Sequence, residues 1–272
     1  MLSARRKSDG ETVFAYFETT NLKGPFACLD CHEEVILKSG RRRANHFAHA
    51  NPIACKFATG ESETHRNCKL EIYLSLQKTA GVTNLGLEHP FGNVRPDVSA
   101  TINGVPVGIE VQISSLAPET IQQRTIEYAR EGIYVLWLLQ WTPRLDGKRF
   151  APTLWEKWLH AVYFGRVYYW VEGLTVVPYH FDPHFISVPM KAWYSADGEK
   201  MTAGGFSRRS KRYKTPVRGK TFDLATDFIP RDRDWWERED AVVPCAKLFM
   251  DPNPHSESSS PFTPRPRFWK RR

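Results

Sequence analysis

The sequence predicts a mixed α/β chain, and three stretches predict it. The first is Arg95 to Ser114, RPDVSATINGVPVGIEVQIS, two alternating runs flanking Asn103-Gly104. Asn-Gly between β-runs is a strong hairpin signal, because both residues tolerate the positive φ of a type I′ turn. The second is Ala117 to Arg130, which carries a helical pattern. The third is Ile133 to Leu139 (IYVLWLL), a continuous apolar run of strand length. Strand, helix and buried strand make a βαβ unit. Val135 should then lie parallel to the strand holding Glu110, with a right-handed crossover.

Composition sets outer bounds. The 272 residues allow one large domain or a core with appendages. The pattern divides them into 1–58, 59–142, 143–250 and 251–272. A formal charge of +8 and a pI near 9.2 favour an anionic partner such as nucleic acid. Of five cysteines, four precede residue 70 and two form a CxxC. That clustering suits a metal site in a reducing cytoplasm better than a disulfide framework. No apolar run approaches a membrane span, and MLSARRKSDG lacks the apolar stretch of a signal peptide, so a cytoplasmic location is expected.

Thr12 to Phe17 (TVFAYF) reads as the first strand. Cys28 and Cys31 sit on a turn within FACLDCHEEVILK, and Val35 to Leu37 forms a second strand. Arg41-Arg42-Arg43 makes a basic turn before HFAH, His46 to His49. Zinc takes four N or S ligands in a tetrahedron, and a CxxC turn supplies two with preset geometry. His46, His49 and Cys55 are the candidates for the other pair. The reading favours His49 and Cys55, with His46 next, in a small zinc-ribbon-like domain.

Glu61 to Ala80 reads as a helix. Ser62 can cap it, acidic residues fill its first turn, and Gly81 closes it. Leu70, Tyr73 and Leu74 mark a buried stripe, widened by Ile72 and Leu76. Glu61, His65 and Lys69 recur every four residues and share a face; such a ladder is either solvated or functional. Asn84 to Glu88 is a short strand leading into the hairpin.

In the hairpin, a two-residue turn pairs Ile102 with Val105. Asp97 then faces Glu110, and Arg95 faces Gln112, so Asp97, Glu110 and Gln112 should converge on one patch. Directly opposed Cβ atoms lie roughly 5 Å apart, where like charges repel. A divalent cation between Asp97 and Glu110 would relieve that repulsion. Mg²⁺ or Mn²⁺ fits, since hard cations take carboxylates, water and phosphate oxygens.

The next helix has Pro118 and Glu119 in its first turn, Gly132 at its end, and Ile121, Thr125 and Tyr128 as its inner stripe.

Asp, about a dozen residues, then Glu-x-Gln on the next strand resembles the PD-(D/E)xK nuclease core, with Gln where Lys is usual. CLDC, HFAH, ESETHRNCK, RPDV, IEVQIS and a helix bearing Arg124 and Tyr128, in this order, resemble the competence protein CoiA family. The resemblance covers roughly Phe14 to Gln140. It implies a restriction-endonuclease-like core with a small N-terminal β-ribbon and a C-terminal extension. It also implies a metal-dependent DNA nuclease, serving DNA uptake, recombination or defence against foreign DNA, beside a recombinase or the uptake machinery. On that reading Asp97, Glu110 and the Val111 carbonyl hold Mg²⁺. Gln112 orients the attacking water or contacts the scissile phosphate, but its neutral amide lacks the charge of Lys. Lys69 or His65 would supply that charge, Glu61 and His65 border the site, and Arg124 grips phosphate. The neutral Gln112 also keeps open a DNA-binding recombination mediator with a silent nuclease site.

Beyond Pro143, Thr153 to Phe164 suits an amphipathic helix. Arg166 to Val177 suits a hairpin turning near Glu172-Gly173. Phe206 to Lys220 (FSRRSKRYKTPVRGK) holds seven basic residues and no acidic one. Such a run either binds phosphate or is a solvated loop; DNA is favoured. Trp235-Trp236 reads as the start of a last helix. Asp251 to Arg272 reads as a disordered basic tail.

Overall fold

Two large sheets and two small hairpins make up the strands of a computed structural model that describes residues 1–16, 22–40, 43–51, 55, 61–238 and 241–252. The smaller sheet is antiparallel and comprises β1 (Ser3–Arg6), β2 (Thr12–Phe14), β3 (Phe26–Ala27), β4 (Glu34–Gly40) and β5 (Arg43–His49), in the order β2-β1-β3-β4-β5. Ala4, Val13, Phe26, Val35 and Phe47 fill its core. The expected first strand is therefore the second. Ser3–Arg6 precedes it, and its paired arginines disguise a strand whose Ser3 and Ala4 are buried. HFAH lies within β5, with Phe47 turned into the core. Phe17, Arg41 and Arg42 lie outside the described residues.

Helix α1 (Glu63–Gln77) follows, with the Ser62 hydroxyl accepting the His65 N–H at 3.2 Å as its cap. Ile72 and Leu76 are fully buried, and so is Lys69. The helix stops at Lys78, and Gly81 instead accepts the Asn103 N–H beside the hairpin turn.

The larger sheet begins with β6 (Val82–Leu87), β7 (Val98–Ile102) and β8 (Val105–Gln112). The hairpin register is as expected: Ile102 faces Val105, Ala100 faces Val107 and Val98 faces Ile109. Asn103 and Gly104 both have positive φ, 49° and 83°. Helix α2 (Pro118–Arg130) crosses to β9 (Tyr134–Gln140), which runs parallel to β8 with Glu110 beside Trp137. A Cβ on Gly108 would lie 2.8 Å from the Tyr128 ring, so the absent side chain lets α2 approach β8. Trp137, Leu136 and Leu138 are buried to zero exposure on β9, as a strand covered on both faces requires.

Then come α3 (Leu154–Val162), capped by Thr153 and Glu156 in a capping box, β10 (Val167–Glu172) and β11 (Thr175–Val188). A small hairpin, β12 (Lys191–Tyr194) with β13 (Lys200–Ala203), leads to β14 (Phe206–Arg218), which pairs with β11. The sheet order is β14-β11-β10-β9-β8-β7-β6. Short strands β15 (Phe222–Asp223), β16 (Ile229–Arg233), β17 (Trp236–Arg238), β18 (Ala241–Val243) and β19 (Ala246–Met250) complete the chain.

The basic run Phe206 to Lys220 is a paired strand up to Arg218, with β11 as its ladder, so it is not a solvated loop. One expectation fails here. Trp235-Trp236 opens no helix: Trp236 starts β17, with Trp235 exposed and Trp236 packed against the core, the alternation of extended chain. The expected tail lies outside the described residues from 253 onward. Among the described residues, no helix is long and apolar enough to cross a membrane.

Candidate active site and metal centre

One face of α1 meets the entrance to β7. Lys69 Nζ lies 2.5 Å from Glu88 and 3.3 Å from Asp97, and it also contacts Glu61. His65 bridges two of these acids, with Nδ1 2.8 Å from Glu61 and Nε2 3.2 Å from Asp97. The ladder Glu61, His65, Lys69 is therefore no solvated stripe. It faces Asp97 across the top of the sheet, and the ligand atoms of Glu61, His65 and Asp97 lie within 4.8 Å of one another.

Charge balance explains the packing. Burial opposes ionisation of Glu61, yet Lys69 and His65 outweigh it and hold the carboxyl down at about 2. Burial opposes Glu88 too, and Lys69 and Arg95 hold it at about 2. Asp97 falls well below the usual carboxylate range, as Lys69, His65 and the Val111 N–H overcome its burial. Burial would lower His65, but Asp97 and Glu61 raise it to about 9. At neutral pH His65 and Lys69 are therefore cations.

Asp97 sits one residue before β7. Its Oδ2 accepts the Val111 N–H at 2.9 Å, taking up a donor just beyond the last ladder pair. Glu110, beside it in β8, turns to other partners: Arg124 and Tyr128 of α2 both donate to its Oε1. Burial pushes Glu110 up to about 7, and the Asp97 charge adds to this; Arg124 and Tyr128 offset only part. The two opposed acids are thus held by different helices, Asp97 by α1 and Glu110 by α2. Gln112 is half-buried at the end of β8 and donates to the Ser114 carbonyl at 2.5 Å and hydroxyl at 3.1 Å. Arg124 stacks over Trp137 at 5.2 Å while it holds Glu110.

Glu88 is the residue that sequence reasoning missed. Its carboxylate accepts the Leu2 N–H at 2.9 Å, the Ser3 N–H and hydroxyl at 3.2 Å, and Arg95 at 3.1 Å, besides Lys69. It thereby ties β1 of the small sheet to the cluster. Only its positive φ of 49° sets it apart locally, and that is invisible in the sequence.

A divalent cation fits this donor set in part. Glu61, His65 and Asp97 converge, and Glu61 Oε2 is buried with no hydrogen-bond partner among the described residues, the Met1 amino group standing 3.7 Å away. Two facts oppose it: Lys69 already balances three carboxylates, and His65, held protonated by Asp97 and Glu61, has no lone pair to give a metal.

The small sheet carries a second cluster. Cys28, Cys31, His49 and Cys55 bring their ligand atoms within 4.8 Å of one another. Cys31 Sγ lies 3.3 Å from His49 Nε2, and the Asp30 N–H donates to Cys28 Sγ at 3.4 Å. Burial lowers the His49 pKa, which favours the neutral ring that a metal needs. Three thiols and an imidazole are compatible with zinc. His49 joins the cluster and His46 does not, because residues three apart on β5 face opposite sides.

Comparison with known proteins follows the same two units. The family model described as competence protein CoiA, N-terminal domain, matches residues 15–58. That described as competence protein CoiA, nuclease-like domain, matches residues 61–155. The competence protein CoiA of Bacillus subtilis (strain 168) is 32% identical over 132 residues, which is 48% of this chain and 35% of that protein. The match thus spans about a third of that relative's length. No solved structure matches. Both CoiA domains occur in order, the first over the cysteine cluster and the second over the Asp97 and Glu110 hairpin, and the chain belongs to the competence protein CoiA family.

Proposed function

We propose that the chain is a metal-dependent DNA nuclease that hydrolyses phosphodiester bonds in DNA uptake, recombination or defence, in the cytoplasm and alongside a recombinase or uptake machinery. The observation that carries this reading is the placement of Asp97: the Val111 N–H holds its carboxylate beside Glu61 and His65, within the segment matched by the nuclease-like domain. Asp97 would hold Mg²⁺ or Mn²⁺ with Glu61 beside it, and Glu110 and the Val111 carbonyl would complete the set once Glu110 turns from Arg124 and Tyr128. A bound cation would stabilise charge on the phosphate and lower the pKa of a bound water. The chain's own residues do the rest. Lys69 keeps the acids ionised, His65 offers a cationic donor at the partly open edge, and Gln112 caps the strand end where the phosphate would pass. Zn²⁺ at Cys28, Cys31, His49 and Cys55 would fasten the small sheet.

The test is incubation with single-stranded and duplex DNA under Mg²⁺, Mn²⁺ or EDTA. Degradation that needs metal, returns when Mg²⁺ exceeds EDTA and is lost in Asp97→Ala supports the nuclease. RNA in the same assay tests the choice of sugar. One observation favours a second reading, a DNA-binding recombination mediator: Lys69 and His65 are already paired to carboxylates and the Gln112 amide to Ser114. Binding without cleavage in any metal would select it.

A further inference from the structure

Strand β11 outruns its neighbour. β10 accompanies it only between Thr175 and Tyr179; from His180 to Val188 its described ladder runs against β14 alone. The hairpin of β12 and β13, a two-stranded sheet of its own, joins the far ends of β11 and β14. Seven residues from Asp182 to Val188 span roughly 23 Å at strand rise. This arm lies beyond both matched segments, which end at residues 58 and 155.

Its composition is unlike the body. Residues 183–218 hold eight Lys or Arg and two acids, a net +6 against +8 for the whole chain. Large rings stay in solvent: Phe185 is 60% exposed, Phe206 56%, Trp193 47% and Tyr194 72%. Register distributes both kinds of residue over both faces. Phe185 pairs with Arg209, so they share a face. Phe206 pairs with Val188, three residues from Phe185, and shares the opposite face with Arg208. At the tip Tyr194 faces Lys200.

We infer that this arm is a binding surface for single-stranded DNA, with the backbone on its cations and unpaired bases stacked on Phe185, Phe206, Trp193 and Tyr194. Exposed rings beside positive charge are what an unpaired strand recognises, since every base has a π-face. A duplex keeps those faces stacked inside, so it would use the arginines and leave the rings in water. A bilayer wants one apolar face, and this ribbon has a ring and an arginine on each. The choice of DNA over RNA rests on the nuclease reading; the existence of the surface does not.

The test is fluorescence anisotropy on the full chain without added Mg²⁺ or Mn²⁺, using a labelled oligo(dT) of about 30 nucleotides, enough to span several rings, and a duplex of equal length. The strand should bind at least about tenfold more tightly than the duplex. Phe185→Ala with Phe206→Ala, and Trp193→Ala with Tyr194→Ala, should each weaken strand binding by at least about fivefold per stacking ring. They should leave the salt dependence unchanged. Arg208→Ala with Arg209→Ala should instead lower the slope of log affinity against log salt by about 1.4. These side chains are exposed, and unchanged circular dichroism would show that the variants fold. Equal binding of duplex and strand, ring variants that bind as tightly as the parent, or binding to phosphatidylglycerol vesicles with none to oligo(dT), would each overturn the assignment. Since no cleavage is needed, an inactive nuclease site leaves this result standing.

Discussion

Lys69 Nζ lies 2.5 Å from Glu88 Oε1, and both side chains are buried. The pair joins α1 to the end of β6, and through Glu88 to the backbone of Leu2 and Ser3. Lys69 is thus the common counter-charge for Glu61, Glu88 and Asp97.

Removing that charge should be severe. Lys69→Met keeps the length of the side chain but leaves three carboxylates to repel one another in a buried site. Breaking a buried ion pair by removing one partner costs about 3–5 kcal/mol. Chemical denaturation should show a loss of that order. Glu88→Gln, which keeps acceptors for Leu2 and Ser3, should lose less. Equal stability of Lys69→Met and the parent would show that the cluster is not held by charge.

His65 gives stability a pH dependence with a definite sign. Its pKa rises from the ordinary 6.5 to about 9 on folding, driven by Asp97 and Glu61 against burial. The stabilisation is complete below about pH 6.5 and is lost as pH rises through about 9. Unfolding free energy should therefore fall across that window by on the order of 3 kcal/mol. His65→Gln should flatten the slope. A His65 imidazole that titrates near 6.5 by NMR would contradict the two short contacts.

The thiol cluster predicts a metal and a consequence. Protein purified without added metal should carry one zinc per chain by elemental analysis, and Cys28→Ser should reduce it. Chelation should make the small sheet sensitive to protease, since binding free energy in such sites is folding free energy. Full zinc occupancy in a chain with Cys28, Cys31 and Cys55 all changed to Ser would place the metal elsewhere.

Local patterns made much of this legible. Asn103-Gly104 set the register, and that register brought Asp97 to the strand end where Val111 meets it. The spacing of Glu61, His65 and Lys69 predicted one face, because a helix repeats every 3.6 residues. CxxC announced two donors that a single turn brings together, whereas His49 joins them from 18 residues away through its place on β5. Glu88 was not legible: its partners lie 19 residues away in Lys69 and 85 in Ser3, and only tertiary contact makes it a hub. The opposed acids show the limit of ladder logic. β7 ends at Val98, so Asp97 leaves the pleat and turns to α1, while Glu110 stays in it and faces α2. The C-terminal strands were obscured by charge, since β14 finds its place only through the long partner β11.

Metal affinity should depend on pH through Glu110. Burial and the Asp97 charge raise its pKa to about 7, so a proton competes with any cation there. Above pH 7 the carboxylate is free to bind; below it, the proton wins. Titration calorimetry with Mg²⁺ should give roughly tenfold weaker binding at pH 6 than at pH 8, one pH unit being a tenfold change in competing protons. Arg124→Gln removes a cation that favours the ionised form, and should move the midpoint upward. A profile flat between pH 6 and 8 would remove Glu110 from the metal site.

Two glycines of the hairpin separate backbone strain from active-site displacement. Gly104 has φ of 83° and open space where a Cβ would stand, with nothing within 4 Å, so Gly104→Ala meets strain alone, about 1–2 kcal/mol. Gly108 has ordinary strand conformation, but a Cβ there falls 2.8 Å from Tyr128 and 3.3 Å from Ile133. Gly108→Ala must push the ring away, at about 1–3 kcal/mol for overpacking. The same ring donates a hydrogen bond to Glu110. The two variants should therefore be similarly destabilised, while only Gly108→Ala changes the pH profile of Mg²⁺ binding. Tyr128→Phe, which keeps the ring and deletes the donor, should reproduce that change with less loss of stability. If Gly108→Ala alters stability but leaves metal binding as in Gly104→Ala, Tyr128 supports only the packing of α2.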